Sequence, residues 1–312
     1  MNIVDFDRKW LDQARKLIRE NHLEERAMVS VLPEQADIPS LETLVDNDLG
    51  AAAEEDGKLL GFLSAYGPWQ PVFCTPDTKG VFSPLHAHAV QQENRMRIWQ
   101  RLYQVAAEKW VKAGAVSHAI TLYAHDEAAK EALYLYGFGV RCMDLMRPMT
   151  DIGTSCPWQC RELPVDEQER LDSLRWQLND HLGESPCFMF QPPWRLDAWM
   201  KGRKDHPPRA FVAEKEGQVI AYVEADREGE NYLSDGPGVM NICGAYCLPE
   251  YRGTGAAQGA LEKMIAAFRQ EGYQRLGVDC ESFNPTALAF WSKYFQPYTY
   301  SVVRRIDENA VR

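Results

Sequence analysis

The sequence predicts an α+β protein made of two consecutive copies of one fold, each a mixed, mostly antiparallel twisted sheet flanked by helices. Its 312 residues exceed what one average domain needs. "AAAEEDGKLLGFLSAYG" (51–67) aligns with "FVAEKEGQVIAYVEADR" (211–227) at an offset of 160, and the segments around Gly114 and Gly272 align at an offset of 158. Self-similarity over half of a chain indicates two copies of one fold. We therefore expect domains at 1–150 and 151–312.

Each copy is predicted to begin with an amphipathic helix, at about 10–21 and about 166–181, because apolar residues recur there at helical spacing. A less regular, proline-containing section follows, and then a hairpin whose turn contains Asp56-Gly57 or Glu216-Gly217. A third strand then leads into a helix, in "VFSPLHAHAV" before 96–113 and in "GVMNICGAYCL" before 255–271.

The second part of each copy is predicted to hold a buried strand, a last helix and a terminal strand. The buried strands are "SHAITLYA" and "RLGVDCE", and the terminal strands are "RCMDLMRPM" and "YSVVRRI". Residues 150–161 contain Gly153, Pro157 and two cysteines, and we expect this segment to be the linker between the copies.

The charge of the chain limits its partners. A net charge of -11 and a pI near 5.2 argue against nucleic acid, whose phosphates require a basic surface. An acidic protein can attract cationic small molecules such as amines, although the same charge also serves solubility. The N-terminal stretch is charged throughout and no apolar run approaches a membrane span, so we expect a cytoplasmic protein without a membrane partner.

The cysteines and histidines do not form a recognisable metal motif. The eight cysteines include no C-x-x-C, and we interpret Cys156 and Cys160 as reduced, structural thiols. His86 and His88 share one strand face, but no third ligand is evident, which favours packing or substrate contact. We predict no bound metal.

The stretch "CLPEYRGTGAAQGALEKM" (247–264) has the features of an anion site. A helix that begins after the turn presents unpaired N–H groups and the positive end of its dipole. Gly253 and Gly255 allow a ligand to approach the backbone, and Arg252 suits phosphate oxygens. The Lys-Ser/Thr pair of a P-loop is missing, and so is the third glycine of G-x-G-x-x-G. The glycines could also serve only a tight turn, but the combination favours a pyrophosphate site.

Two motifs of this region resemble those of the GNAT superfamily of acetyl-CoA-dependent N-acetyltransferases. The first is R-x-x-G-x-A, formed by Arg252, Gly255 and Ala257 within "PEYRG" and the residues after it. The second is an asparagine that opens the last helix with an alanine three residues on, here Asn284 and Ala287. The resemblance covers 211–306 and, more faintly, 51–149.

The resemblance implies acetyl-CoA as cosubstrate, with its pyrophosphate on the amides of residues 252–257. It also implies that the pantetheine lies along the strand at Cys247 and Leu248, with the backbone N–H near Leu248 as oxyanion donor. Asn284 and Ala287 would face the pantetheine arm, although Asn284 before Pro285 is also a sufficient helix N-cap by itself. The implied cofactor-binding residues are Cys247, Leu248, Arg252, Gly253, Thr254, Gly255, Ala256, Ala257, Asn284 and Ala287.

The candidate catalytic residues depart from the pattern of the family. Many members of the family protonate the departing thiolate with a tyrosine seven residues after the helix-opening asparagine, and here that position is Trp291. Tyr294 is a candidate replacement. Asp279 and Glu281 share a strand face and are candidate bases, with Glu224 as a further candidate. A covalent route through Cys243 or Cys247 is conceivable, although small buried thiols are commoner.

The first copy is predicted not to bind acetyl-CoA. At the offset of 158, Asn94 stands for Arg252 and Arg97 for Gly255, and bulky Met96, Ile98 and Trp99 occupy a loop without glycine.

Two functions remain open. The first is an N-acetyltransferase, monomeric or homodimeric, that transfers acetyl directly to the amine of a small molecule. Trp194, Trp199 and Phe188 lie in the section that shapes acceptor sites in the family. The alternative is a non-catalytic acyl-CoA-sensing or protein-binding module, which the altered first copy and Trp291 would suit.

Overall fold

The computed structural model describes residues 1–73 and 75–311. The helices and strands of the first half are β1 (Asn2–Asp5), α1 (Leu11–Met28), α2 (Glu42–Asp46), β2 (Ala51–Glu55), β3 (Lys58–Leu63), β4 (Tyr66–Trp69), β5 (Gly80–Ser83), β6 (His88–Val90), α3 (Arg95–Lys112), β7 (Ser117–Tyr123), α4 (Glu127–Leu135) and β8 (Gly139–Pro148). Those of the second half are β9 (Gln159–Leu163), α5 (Asp172–Gly183), α6 (Pro193–Asp205), β10 (Arg209–Lys215), β11 (Gln218–Asp226), β12 (Val239–Cys247), α7 (Ala256–Gln270), β13 (Arg275–Glu281), α8 (Pro285–Trp291) and β14 (Gln296–Arg305).

The chain forms two compact units. Unit 1 contains residues 1–143, 231–233 and 297–312, and unit 2 contains 144–230 and 234–296. In unit 1 one sheet has the order β1-β2-β3-β6, and further strands have the order β4-β5-β7-β14. In unit 2 the order is β8-β13-β12-β11-β10-β9.

The order of elements in the first half recurs in the second. A short strand (β1, β9) precedes a helix (α1, α5), a hairpin (β2–β3, β10–β11), a strand that leads into a long helix (α3, α7), a buried strand and a last helix. This order agrees with the two predicted copies. The terminal strands break the simple division, since β14 follows α8 in the chain but pairs with β7 in unit 1. The predicted boundary at 150/151 stays a prediction about the domains.

The long helices α3 and α7 fix the core of each unit. One face of α3 buries Ile98, Trp99, Leu102 and Trp110 in a single hydrophobic cluster. One face of α7 buries Ala260, Leu261, Met264, Ile265 and Phe268. Full burial of each large apolar side chain contributes about 1.5–3 kcal/mol, so this face holds α7 and its first turn in place against the sheet.

The predicted fold class is confirmed: both units combine helices with mixed sheets in which antiparallel pairs predominate. Parallel pairing is seen between β5 and β7 and between β12 and β13. The sequence reading missed β1 and β9, because both are short and only half-buried and therefore lack a clear apolar alternation. It also missed α6, which begins at Pro193 inside the section that was expected to be irregular.

Candidate functional site

Two parallel strands of unit 2 separate at the centre of the sheet. The parallel register of β12 and β13 runs from Val239 opposite Arg275 to Ile242 opposite Val278. Beyond that point β12 continues to Cys247 and β13 to Glu281. The register of β12 with β11 also shifts beside Cys243, where one extra residue bends the strand. The strand ends therefore leave a gap in the sheet.

The backbone of β12 presents alternate amides to this gap. The N–H of Leu248 donates to the carbonyl of Ile220 on β11, at 3.0 Å. The Leu248 amide itself is thus engaged within the sheet, so the donor expected near Leu248 is a neighbouring amide. N–H and C=O groups alternate sides along a strand, so those of Cys247 face away from β11. The Cys247 amide is therefore the donor at this strand end that faces the gap.

The loop after β12 leads directly into α7. Gly253 and Gly255 have φ values of 77° and 91°, in the left-handed region that glycine adopts without strain. The N–H groups of Arg252 and Thr254 donate within the loop, to the carbonyls of Pro249 and Tyr251. The donors suited to an anion are therefore those of the first turn of α7, which precede the first intrahelical bond, from Gly259 to Gly255 at 2.8 Å.

Arg252 is held beside this turn. Its Nε donates to the carbonyl of Cys247 at 3.2 Å, and its guanidinium lies 5.6 Å from the ring centroid of Tyr246. These contacts place a positive charge next to the N-terminus of α7, where helix dipole and side chain attract the same anion.

A cavity of about 310 Å³ connects the loop with the end of β12 and with α8. Of the predicted cofactor-binding residues, it is lined by Cys247, Arg252, Gly253, Ala257, Asn284 and Ala287. Leu248 instead packs in a hydrophobic cluster, and Thr254, Gly255 and Ala256 lie outside the lining.

The sequence reading missed several residues that line the cavity. Leu178 and His181 come from α5, Tyr222 from β11, and Lys293 follows α8. None of them belongs to a motif. The side of the sheet on which Tyr222 lies depends on the register of the strands, which the sequence alone does not give. Only the position of α5 at the start of the copy hinted at a contribution from that helix.

Asn284 combines two roles. Its Oδ1 accepts a hydrogen bond from the N–H of Ala287 at 3.1 Å, which caps α8, and its side chain also lines the cavity. The first copy repeats the cap at the offset of 158, where Asp126 accepts from the N–H of Ala129 at 3.0 Å. Trp291, which stands where the resemblance implies a tyrosine, is buried and lines the cavity.

The three candidate catalytic residues lie outside the residues that line this cavity. Burial, followed by the neighbouring charges of Glu230, Asp144 and Glu281, raises the pKa of Asp279 well above its usual value of 3.8. Asp279 and Glu281 lie at the end of β13, on the other strand of the gap. The ring of Tyr294 packs 5.4 Å from that of Phe290, which does line the cavity. Their catalytic roles stay predictions.

Glu224, the further candidate base, is fully buried in an ion network. Arg175 of α5 donates to its Oε1, and Arg203 of α6 lies 3.3 Å from its Oε2. Arg203 also donates to the carbonyl of Cys243 at 2.7 Å, at the bend of β12. Breaking such a buried pair typically costs about 3–5 kcal/mol. Glu224 therefore holds both helices against the gap.

The corresponding region of unit 1 is closed. Only residues 91–94 separate β6 from α3, whereas 248–255 separate β12 from α7. The side-chain amide of Asn21 both accepts from the N–H and donates to the carbonyl of Val90, each at 3.0 Å. His88 Nε2 lies 2.6 Å from the carbonyl oxygen of Thr121 on β7. These bonds occupy the strand end that would correspond to the gap in unit 2.

The described residues show neither a cluster of metal ligands nor a helix that could span a membrane. Within 1–73 and 75–311, no group of three or more His, Cys, Asp or Glu side chains is arranged to hold a metal ion. His86 instead lies 3.1 Å from the hydroxyl of Tyr66, and burial lowers the pKa of His86 to about 4. In the same described part of the chain, no helix has the length and apolarity to cross a membrane.

The end of β12, the glycine-containing loop at a helix start and the capped helix α8 line one cavity of unit 2. Residues 170–295 match the model of the acetyltransferase (GNAT) family. Residues 170–295 therefore form a domain of the GNAT family, and the protein is an acyltransferase. Among curated proteins, none has a sequence that matches the chain.

Solved structures share the fold over most of the chain. A GCN5-related N-acetyltransferase from Sphaerobacter thermophilus is similar with a TM-score of 0.54 and 13% identity, over 82% of this chain and 80% of that chain. An acetyltransferase of the GNAT family from Colwellia psychrerythraea is similar with a TM-score of 0.51 and 11% identity, over 98% of this chain and all of that chain (100%). At these identities the similarity shows the fold.

Proposed function

We propose that the protein transfers an acetyl group from acetyl-CoA directly to the amine of a small molecule. The observation that carries this proposal is the cavity of about 310 Å³ that runs from the first turn of α7 to the strand end at Cys247 and along α8. An extended ligand with a diphosphate at one end fits such a cavity, because the anion site and the gap lie at its two ends.

Each part of the site has a distinct task in this proposal. The first-turn amides of α7 and Arg252 hold the diphosphate, and Asn284 and Ala287 contact the pantetheine arm from α8. The N–H of Cys247, next to Leu248, is the proposed donor to the thioester oxygen, where negative charge develops during transfer. A single donor of this kind is typically worth a factor of about 10²–10³ in rate.

The acceptor amine is proposed to enter from the β13 side of the gap. Three acidic side chains, Asp144, Glu230 and Glu281, lie close enough to Asp279 there to raise its pKa. Carboxylates attract an ammonium group, and a carboxylate or a water molecule that it orients then removes the proton so that the amine nitrogen is free to attack. Acetyl-CoA supplies the acetyl thioester, and Tyr294 is the proposed proton donor to the departing thiolate.

A panel of primary amines tests this function, with the released CoA thiol measured by a colorimetric reagent. We expect thiol release above background with at least one amine, together with an acetylated product detected by mass spectrometry. Arg252→Ala is the control that weakens acetyl-CoA binding, and it should lower release with the same amine. No thiol release with any amine, despite measurable acetyl-CoA binding, would contradict the proposal.

A non-catalytic acyl-CoA-sensing or protein-binding module is the second candidate. The placement of Tyr294, Asp279 and Glu281 outside the lining of the cavity, together with Trp291 in it, favours this alternative. Acetyl-CoA binding without turnover, combined with a stable protein partner recovered with the full chain, would support it over the enzyme.

A further inference from the structure

Two thiols lie close together behind the loop that precedes α7. Cys156 and Cys160 have their Sγ atoms 3.5 Å apart, and both thiols also donate to the carbonyl of Trp158, which lies between them in sequence. Both side chains are half-buried rather than enclosed. A disulfide requires about 2.0 Å between the sulfur atoms, so the pair would need to close by only about 1.5 Å.

The two thiols fit into a notch on α7. A Cβ atom at Gly259 would lie 2.3 Å from the Sγ of Cys156 and 2.7 Å from the Sγ of Cys160. Gly259 is the fourth residue of the helix, and only glycine at this position leaves room for both sulfur atoms. Because the sulfur atoms pack directly against Gly259, a change in their positions alters the packing of the first turn of α7.

The residue between the thiols is bound to the loop. The indole N–H of Trp158 lies 3.0 Å from Oγ1 and 3.3 Å from the carbonyl oxygen of Thr254. Its ring also packs edge-on against Tyr251, with 5.5 Å between centroids. Behind the loop, a Cβ atom at Gly255 would lie 3.3 Å from the carbonyl oxygen of Ser155. Residues 155–160 thus pack against the loop and are not among the residues that line the cavity.

We propose that Cys156 and Cys160 are a redox modification site whose disulfide form loosens the loop and weakens CoA binding. The effect on CoA rests on the proposed function, whereas the formation of the disulfide and the loosening of the loop do not. In the dithiol form Trp158 reaches Thr254. In the disulfide form the sulfur atoms approach each other, residues 157–159 bow outward, and the indole N–H moves away from Thr254.

The oxidant is a small-molecule disulfide of the glutathione type. The thiolate of Cys156 attacks one sulfur of that disulfide, a mixed disulfide forms, and the first thiolate leaves. Cys160, after losing its proton to a departing thiolate or to solvent, attacks the Sγ of Cys156 and expels the second thiolate. Two protein thiols are oxidised and one disulfide is reduced to two thiols.

The half-buried position of Cys160 suits the second step. Burial, followed by the hydrogen bond with Cys156, raises the pKa of the Cys160 thiol to about 12. Cys160 is therefore a weak initial nucleophile, and it reacts because Cys156 holds the mixed disulfide beside it. Cys156 is consequently the residue that meets the oxidant.

Incubation of the full chain with excess glutathione disulfide tests the site. We expect peptide mapping to find Cys156 and Cys160 joined, and hydrogen exchange to become faster at the amides of 252–258. Calorimetry with CoA should show a dissociation constant about twofold to tenfold higher than in the reduced protein, as the loss of one net hydrogen bond predicts. A reducing agent should reverse all three changes.

Two variants provide controls. The double variant Cys156→Ser, Cys160→Ser should bind CoA equally well with and without the oxidant. An equal loss of affinity in this variant would place the effect at another cysteine and overturn the proposal. Trp158→Phe keeps the ring but removes the N–H donor, so it should show the faster exchange at 252–258 even when reduced.

Other results would also overturn the proposal. These are the absence of a bond between Cys156 and Cys160 at excess oxidant, and a bond that forms without any change in exchange at 252–258. If the reduced protein does not bind CoA at all, the proposed function fails. Hydrogen exchange at 252–258 in the oxidised and reduced protein then still tests the redox site.

Discussion

Gly255→Ala adds one methyl group in the loop. We expect its effect on CoA binding to be distinguishable from its effect on folding stability. The Gly255 φ of 91° lies in the left-handed region, where an L-residue costs about 1–2 kcal/mol relative to glycine. The new Cβ of Gly255→Ala would also lie 3.3 Å from the carbonyl oxygen of Ser155, so the loop must shift by a few tenths of an ångström. We expect the free energy of unfolding to fall by about 1–2 kcal/mol, which lowers Tm by about 2–8 °C.

Gly272, just after the other end of α7, is the matched control. Its φ is 90°, and a Cβ there would meet no atom within 4 Å. Gly272→Ala should therefore carry the same backbone strain without disturbing the loop. Thermal unfolding should give similar Tm decreases for the two variants.

CoA binding should distinguish the two variants. Gly255→Ala shifts the first turn of α7, whose amides are proposed to bind the diphosphate, so calorimetry should show at least a tenfold weaker dissociation constant. Gly272→Ala should bind CoA as the unmodified chain does. Equal affinities in both variants, or equal losses in both, would refute the argument that the loop backbone binds this ligand.

Three further substitutions test separate parts of the site. Arg252→Ala should weaken CoA binding by about 10–100-fold through the loss of a charge-assisted contact, whereas Arg269→Ala, near the other end of α7, should not change it in the same titration. Tyr294→Phe should lower kcat by a factor of about 10² if Tyr294 is the acid, and a kcat within about twofold of the unmodified enzyme would remove that assignment. In urea unfolding, Asp279→Asn should gain stability relative to the unmodified chain as pH rises above 3.8, the usual carboxyl pKa. The reason is that the raised pKa keeps Asp279 protonated in the folded state above 3.8, so the unfolded chain binds fewer protons and stability falls with pH. A stability difference that does not change with pH would contradict this assignment.

The loop was predictable from the sequence because its chemistry is local. Arg252, two glycines and a helix start follow one another in the chain, and the structure places the glycines at positive φ at the start of α7. The cap by Asn284 was predictable for the same reason, since cap and first turn lie within four residues. Local motifs of this kind depend on backbone conformation more than on distant contacts.

Features that depend on strand register could not be predicted. Which amide near Leu248 faces the gap could not be read from the sequence, because the N–H of Leu248 pairs with Ile220, a contact between residues 28 apart that only the register of β11 and β12 determines. The closure of unit 1 by Asn21 and Val90 likewise joins residues 69 apart. The sequence reading predicted a first copy without CoA from the missing glycines, and the side-chain amide on the strand end now gives that prediction a second physical reason.

The terminal strand β14 is a further case of this kind. Its sequence "YSVVRRI" reads as a strand, and β14 covers it except for Ile306. Its partner is β7 of unit 1, although the preceding helix α8 belongs to unit 2. Strand propensity depends on the residues themselves, whereas the choice of partner depends on the assembled sheet.

A crystal structure of the full chain with CoA would test the central claim most directly. We predict one CoA molecule per chain, with its diphosphate within hydrogen-bonding distance of the first-turn amides of α7 and of Arg252, and its sulfur near the N–H of Cys247. We predict that unit 1 holds none. A diphosphate bound elsewhere in unit 2, or a CoA molecule in the region of Asn21 and Val90, would contradict the account.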